Sequence, residues 1–180
     1  MPRLFVAVEV PWAGLARIAT FPPDQPPHLT LQFLGDLPDV TVPGLVDALA
    51  VAIGPIAPFA FELVGVGAFP RESDPRVVWV GVRQGRAEFE ALAARVREAV
   101  REAVGRSERK AFFPHVTLFR VRRPEQLARA RALLEGHGSA EFGGGIVTAV
   151  ELKASRLERA GAVHSVVASL SLRGTAAAGR

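Results

Sequence analysis

The sequence Pro-His-x-Thr-Leu occurs twice in this chain of 180 residues. The first copy lies in PPHLTLQFLG at residues 26–35, and the second lies in FPHVTLFR at residues 113–120. The first copy continues as an apolar run that Gly35 closes, and the second lies in FFPHVTLFRV, which is rich in β-branched and aromatic residues, so each predicts a short strand. Any fold of this chain must therefore contain two strands that carry the same histidine–threonine pair.

The hydrophobic pattern around the two copies predicts a repeated order of elements. Strands are expected at residues 3–10, 28–35, 59–69, 76–82, 112–121, 146–157 and 163–172, and helices at 12–21, 43–53, 85–105 and 124–136. Each half then runs strand, helix, motif strand, helix, strand, and the second half adds a hairpin. This order predicts an α+β fold with antiparallel sheets and an internal pseudo-twofold duplication.

We expect one domain over residues 1–180, because its length fits a single core or two small lobes. The proline-bounded loop 70–75 separates lobe one, about residues 1–70, from lobe two, about residues 76–172, with an exchange of strands between them as an open option. The tail 173–180 is expected to be flexible.

Alternation along a strand places the chemistry on one face of each motif. His28 and Thr30 share a face, while the leucines beside them anchor the strand from behind. The same holds for His115 and Thr117. If a pseudo-twofold relates the two strands, the two pairs face each other across a central cleft.

Two imidazoles and two hydroxyls suit the cleavage of a phosphodiester at a ribose. An unperturbed histidine titrates near pH 6.5, so a neutral and a protonated imidazole are both available near neutral pH. The threonine hydroxyls of such a site hold phosphate oxygens, and Arg120 supplies charge nearby.

Composition excludes several other chemistries. The chain has no cysteine, so disulfides, thiolate nucleophiles and zinc–thiolate sites are excluded, and a reducing cytoplasm is the expected location. A two-histidine metal hydrolase lacks support, because no carboxylates accompany either motif, and we expect neither a metal nor another cofactor. No apolar run reaches membrane-spanning length, so no membrane association is expected.

At these residues the chain resembles the 2H phosphoesterases, and among them the bacterial and archaeal RNA 2′,3′-cyclic phosphodiesterases, also described as 2′-5′ RNA ligases. RLFVAVEVP resembles their opening strand, RVVWVGV the strand that opens the second lobe, and the two His-x-Thr segments their paired motifs. The resemblance implies a bilobal α+β fold and metal-free hydrolysis of a 2′,3′-cyclic phosphate to a 2′-phosphate. It implies that His28 and His115 are the acid–base pair, that Thr30 and Thr117 bind phosphate, and that Arg120 assists them.

For this hydrolysis we assign His115 as the base and His28 as the acid, and the same residues would serve 2′-5′ RNA ligation. The chain departs from the family pattern in two places. Only fifteen residues separate Trp12 from His28, which shortens one expected wall of the cleft. His164 stands where a tyrosine is expected, and we interpret it as a surface or turn histidine, with contact to substrate as the alternative.

The aromatic residues near the motifs offer stacking surfaces for bases. Strict alternation places Phe119 on the face of His115, so Phe119 is the candidate for stacking, and it places Phe33 on the face opposite His28. Arg122 and Arg123 extend a basic cluster over residues 106–123, in a chain of net charge +4, and are expected to form a rim that attracts phosphate.

The expected partners are RNA ends or small cyclic nucleotides, acted on by a monomer. A non-catalytic module that holds RNA or nucleotide phosphate in the same cleft is the alternative from a different class.

Overall fold

A computed structural model describes residues 3–23, 25–105, 110–158 and 161–175. Its strands are β1 (Arg3–Glu9), β2 (His28–Asp36), β3 (Phe59–Arg71), β4 (Asp74–Val82), β5 (His115–Arg120), β6 (Glu141–Val147), β7 (Ala149–Glu158) and β8 (Gly161–Ser171). Its helices are α1 (Val42–Ile53), α2 (Arg86–Val104) and α3 (Pro124–His137), with a short 3₁₀ turn at Asp39–Thr41. The α+β class predicted from the sequence is confirmed.

The strands form one sheet in the order β6-β3-β4-β5-β2-β1-β7-β8, and neighbouring strands are antiparallel. Its two halves meet between the motif strands β2 and β5, where Leu29 and Val116 form the pair. The halves of the sheet are not the halves of the chain, because β3 pairs with β4 and β6, while β7 and β8 extend the sheet beyond β1. The division into two lobes stays a prediction, whereas the loop predicted at 70–75 is the tight turn of the β3–β4 hairpin.

Two of the elements predicted from the sequence are wrong, one near the N-terminus and one in the second half of the chain. The helix expected over 12–21 is a series of turns, in which the N–H of Ala16 bonds to the carbonyl of Trp12 at 2.8 Å. The proline-rich run that follows at 22–27 stops it from growing into a helix.

The strand β6 was missed because its centre is a run of glycines, which have low strand propensity. The close approach of β3 explains one of them: a Cβ on Gly144 would lie 2.0 Å from the carbonyl oxygen of Phe61. The strand predicted at 146–157 is thus the end of β6 and most of β7, with a break at Thr148.

Helix α2 forms as its apolar stripe predicts. The stripe is buried, and the helix ends at Gly105, whose φ of 73° few other residues adopt. The buried residues of α2 are Phe89, Leu92, Ala93, Val96, Ala99 and Val100. Helix α2 packs against α1 and against β2, so it supports the first motif strand, whose Leu29 is fully buried in the core.

Some sequence predictions lie outside the described residues. They are Arg106 and Arg109 of the basic cluster, the centre of the β7–β8 turn and the tail beyond residue 175. Within the described residues, no helix combines the length and apolarity that a membrane crossing requires.

Candidate active site

The two motif strands lie side by side in the middle of the sheet. On either side of the antiparallel pair Leu29–Val116, the geometry sets His28 opposite Thr117 and His115 opposite Thr30. All four side chains are half-buried and line one cleft of about 740 Å³. The structure therefore brings the four residues together as the sequence analysis expected.

Both histidine rings are held in the same way. Nδ1 of His28 lies 2.9 Å from the carbonyl oxygen of Pro26, and Nδ1 of His115 lies 2.7 Å from that of Phe113. Because a carbonyl only accepts, each Nδ1 carries the hydrogen, and each Nε2 is left to exchange a proton. In both motifs the acceptor is two residues upstream, and the intervening proline favours an extended backbone at that residue. The repeated proline was the sequence signal for this arrangement.

Burial is the main cause of a lowered pKa at both histidines. For His28, the hydrogen bond to the carbonyl of Pro26 and the charge of Glu9 oppose the effect of burial, and Lys153 adds to it. For His115, the hydrogen bond to the carbonyl of Phe113 opposes burial, while Lys110 and Arg120 lower the pKa further. A lowered pKa favours the neutral form of both imidazoles at neutral pH.

We expect the free energy of unfolding to fall as the pH drops below about 6.5, the unfolded value of a histidine. Each site histidine has a lowered pKa in the fold, so the unfolded chain binds more protons in the window between the two values. Urea unfolding at pH 7.5 and 5.5 measures this loss. The double variant His28→Asn/His115→Asn should lose less stability over the same interval, and an equal loss would contradict the lowered values.

Each motif strand carries a bulge at the same place, the leucine that follows the threonine. In β2 the register skips Leu31, and in β5 it skips Leu118. The bulge reverses the alternation beyond it. The fifth residue after each histidine, Phe33 in one strand and Arg120 in the other, thus returns to the cleft face.

Two predictions about aromatic residues are wrong because of these bulges. Phe33 lies on the same face as His28, opposite the buried Phe5, and is 57% exposed at the cleft. Phe119 is turned to the other face, where it packs against the core under the guanidinium of Arg129 at 4.7 Å. Among the described residues, the phenylalanines that line the cleft are Phe33, Phe69, Phe112 and Phe113, and Phe119 is not one of them.

The charged side chains that line the cleft are all cationic, and two of them come from strands of the half of the sheet that carries His115. These cations are Arg76, Arg97, Lys110 and Arg120, and no acidic side chain lines the cleft in the described part of the chain. Arg97 donates to the carbonyl of Lys110 at 3.1 Å, and its Nε–H is buried without an acceptor. Arg123, predicted as a phosphate-attracting residue, instead pairs with Glu125 at the start of α3.

Each site histidine meets another ring edge-on. Phe69 lies 5.0 Å from His115 at an interplanar angle of 90°, and His164 lies 5.3 Å from His28 at 74°. His164 is half-buried within β8, so its interpretation as a surface or turn histidine is wrong. Its distance along the chain from either motif gave no sign of this contact.

A buried charge cluster lies near His28. The ammonium of Lys153 is 2% exposed and contacts carboxylate oxygens of Glu9 at 2.5 Å and of Glu151 at 3.0 Å. Glu9 is the β1 partner of His28 in the sheet register. The sequence offered only a weak signal for this cluster, a lysine within an apolar strand.

The described residues contain no group of three or more His, Cys, Asp or Glu side chains placed to hold a metal ion. The polar groups that line the cleft are imidazoles, hydroxyls, one amide and cations. This donor set suits an anion rather than a metal cation.

The sequence matches a known family and several curated proteins. The family model of the 2′-5′ RNA ligase superfamily matches residues 12–153. An RNA 2′,3′-cyclic phosphodiesterase of Aeropyrum pernix is 36% identical over 141 residues, which cover 78% of each chain. A protein with the same activity in its name from Archaeoglobus fulgidus is 30% identical and aligns over 90% of this chain and 96% of its own.

Solved structures share the fold. A crystal structure of a protein from Thermus thermophilus superposes with a TM-score of 0.76 at 30% identity, covering 96% of this chain and 98% of the other. E. coli LigT complexed with phosphate superposes with a TM-score of 0.62 at 27% identity, and its coverage is 95% of this chain and 97% of LigT. The arrangement of strands and helices is therefore one already seen in crystals.

Proposed function

Since the chain belongs to the 2′-5′ RNA ligase superfamily, we propose that it hydrolyses RNA 2′,3′-cyclic phosphate ends to 2′-phosphomonoesters, with His28 and His115 as the acid–base pair. One observation carries the proposal: both imidazoles line one cleft with Nδ1 bonded to a carbonyl, which frees both Nε2 atoms. The curated relatives named RNA 2′,3′-cyclic phosphodiesterase support the reaction type.

In the proposed step, neutral His115 removes a proton from water as the water oxygen attacks phosphorus. A bond forms between phosphorus and the water oxygen, the bond from phosphorus to O3′ breaks, and protonated His28 gives its proton to O3′. The phosphate remains on O2′. Each histidine ends in the protonation state in which the other began. With the 5′-hydroxyl of another RNA in place of water, the same step would form a bond from phosphorus to O5′, break the bond from phosphorus to O3′ and leave a 2′-5′ phosphodiester, which is the ligase reaction.

The threonines and Arg120 serve the phosphate in this proposal. Thr30 and Thr117 lie opposite the two histidines in the antiparallel register, so their hydroxyls flank the position of the reacting phosphorus. The exposed guanidinium of Arg120 adds charge at the end of the same strand. Negative charge on the bound phosphate stabilises the imidazolium and offsets the burial that lowers the pKa of His28.

Phe33, in place of Phe119, is proposed as the surface for the terminal base. We expect Phe33→Ala to raise KM for a cyclic-phosphate RNA end by about 5- to 150-fold, because base stacking on an aromatic ring contributes about 1–3 kcal/mol. Phe119→Leu is the matched control, since its ring packs away from the cleft. Steady-state kinetics measure both, and a larger KM change in the Phe119 variant would contradict this assignment.

The proposed function is tested by incubating catalytic amounts of the protein with a short RNA that ends in a 2′,3′-cyclic phosphate, in excess EDTA. Many turnovers per protein molecule are expected. Binding of the RNA without consumption of the cyclic phosphate would favour the alternative, a module that only holds phosphate. Loss of turnover on adding EDTA would instead favour the metal hydrolase. A monomeric state and a cytoplasmic location stay predictions.

A further inference from the structure

His164 reaches the first motif from the far edge of the sheet. It lies on β8, three strands from β2, and in a flat sheet strands so placed would be roughly 14 Å apart at the usual spacing. Yet its ring centroid is 5.3 Å from that of His28 and 5.0 Å from that of Phe5. The β8 end of the sheet therefore curves towards β2 and brings a third imidazole against the first, although His164 is not itself among the residues that line the cleft.

The rings that lie edge-on to His115 cannot be protonated. The rings that meet His115 edge-on are Phe69 at 5.0 Å and Trp79 at 6.3 Å. His28 meets the apolar ring of Phe5 and the titratable ring of His164. The surroundings of the two histidines therefore differ in whether a neighbouring ring can become charged.

We propose that His164 is a positioning residue for His28, and that its ring holds the His28 imidazole edge-on. The two rings titrate as a coupled pair: the pair binds one proton readily and binds a second proton only when phosphate occupies the cleft. This rests on the proposed role of His28 as the acid. Two imidazolium charges at this separation, in a partly buried site, repel each other much more than in bulk water.

The other charged groups near His28 and His164 do not cancel the repulsion between the two rings when both are protonated. On β1 and β7, Lys153 is paired with Glu9 and Glu151, so its positive charge is largely neutralised. Arg3 lies in the same cross-strand row as His164, across Ser155, and Asp36 of β2 continues that row. Arg3 disfavours and Asp36 favours a second positive charge in the pair.

A bound phosphate changes this balance because its negative charge attracts both imidazolium groups. Of the four cations in the described lining, Arg76 lies on β4, Arg120 on β5, Arg97 on α2 and Lys110 before β5, and none lies on β2, the strand that carries His28. A protonated His164 would supply the missing positive charge beside the proposed acid. Substrate binding thus loads the acid with its proton.

The test is an NMR titration of the imidazole Cε1–H signals of the full chain, with and without inorganic phosphate. In the wild type, we expect the titration curve of the His28 signal to show two steps. Added phosphate should move the step at lower pH upwards until the two steps merge. In His164→Phe, which keeps an aromatic ring but cannot titrate, the curve should become a single step. His137→Phe, a ring beside Phe142 outside the cleft lining, should leave the His28 curve unchanged.

A His28 curve that is identical in the wild type and in His164→Phe would overturn the proposal, and His164→Gln provides a second neutral variant should the phenylalanine perturb the fold. In turnover assays, His164→Ala should lower kcat about tenfold more than His164→Phe, because it also removes the wall. The titration needs no turnover. An inactive wild type would therefore contradict the proposed function and leave the coupling of the two rings to stand or fall on its own data.

Discussion

Replacing His28 or His115 by alanine lowers kcat/KM on a cyclic-phosphate RNA end by about 10²- to 10⁴-fold in each case, the range for loss of a general acid or base. Each ring lines the cleft with its Nε2 free, and the backbone carbonyl at Nδ1 fixes its orientation. The double variant should be little slower than the slower single variant, because an acid and a base that act in one step fail together.

Initial rates for the three variants measure this, with His137→Ala as the matched control. His137 lies at the end of α3 beside Phe142 and does not line the cleft. Its variant should retain the wild-type rate. Two single losses that multiply in the double variant would contradict a concerted pair, and retention of most of the rate in either single variant would exclude that histidine as catalyst.

The second large effect is expected at the threonines. Thr30→Val and Thr117→Val preserve shape and strand propensity but remove the hydroxyl, and each should lower kcat/KM by about 5- to 150-fold, equivalent to about 1–3 kcal/mol. The effect should fall on kcat more than on KM if the hydroxyls bind the phosphate more tightly as its charge builds up.

Thr148→Val is the control for these variants, since Thr148 is exposed in the break between β6 and β7. Thermal unfolding of all three variants separates a loss of fold from a loss of binding. Wild-type kinetics in both Thr30→Val and Thr117→Val would mean that these side chains only pack in their strands.

The central geometry of the site could be predicted because it depends on a local rule. Residues two positions apart on a strand lie on the same face of the sheet. The spacing alone therefore predicted that His28 shares a face with Thr30, and His115 with Thr117. The repeated order of elements led us to expect the two pairs to face each other across a cleft, whereas the direct pairing of β2 with β5 in one sheet was not predicted.

The face of later residues could not be predicted by the same rule. One inserted residue in a bulge reverses every side chain beyond it, and neither Leu31 nor Leu118 differs in sequence from an ordinary strand leucine. Phe33 was therefore assigned to the wrong face, and so was Phe119. Had one of the two bulges been known, the duplicated motif would have predicted the other at the same position.

Long-range contacts were the other source of error. His164 and Lys153 belong to the last two strands, and their closeness to His28 depends on strand order and sheet curvature, which local pattern does not determine. Strand β6 was missed because its glycines are required by the close approach of β3, a tertiary demand that overrides propensity.

The most direct test of the proposed acid–base pair is the position of the phosphate in the product, which ³¹P NMR follows during hydrolysis of a cyclic-phosphate RNA end in excess EDTA. A single 2′-phosphomonoester is expected, because one histidine activates water while the other protonates O3′ alone. A mixture of 2′- and 3′-phosphates, or a 3′-phosphate alone, would contradict the division of roles between His28 and His115.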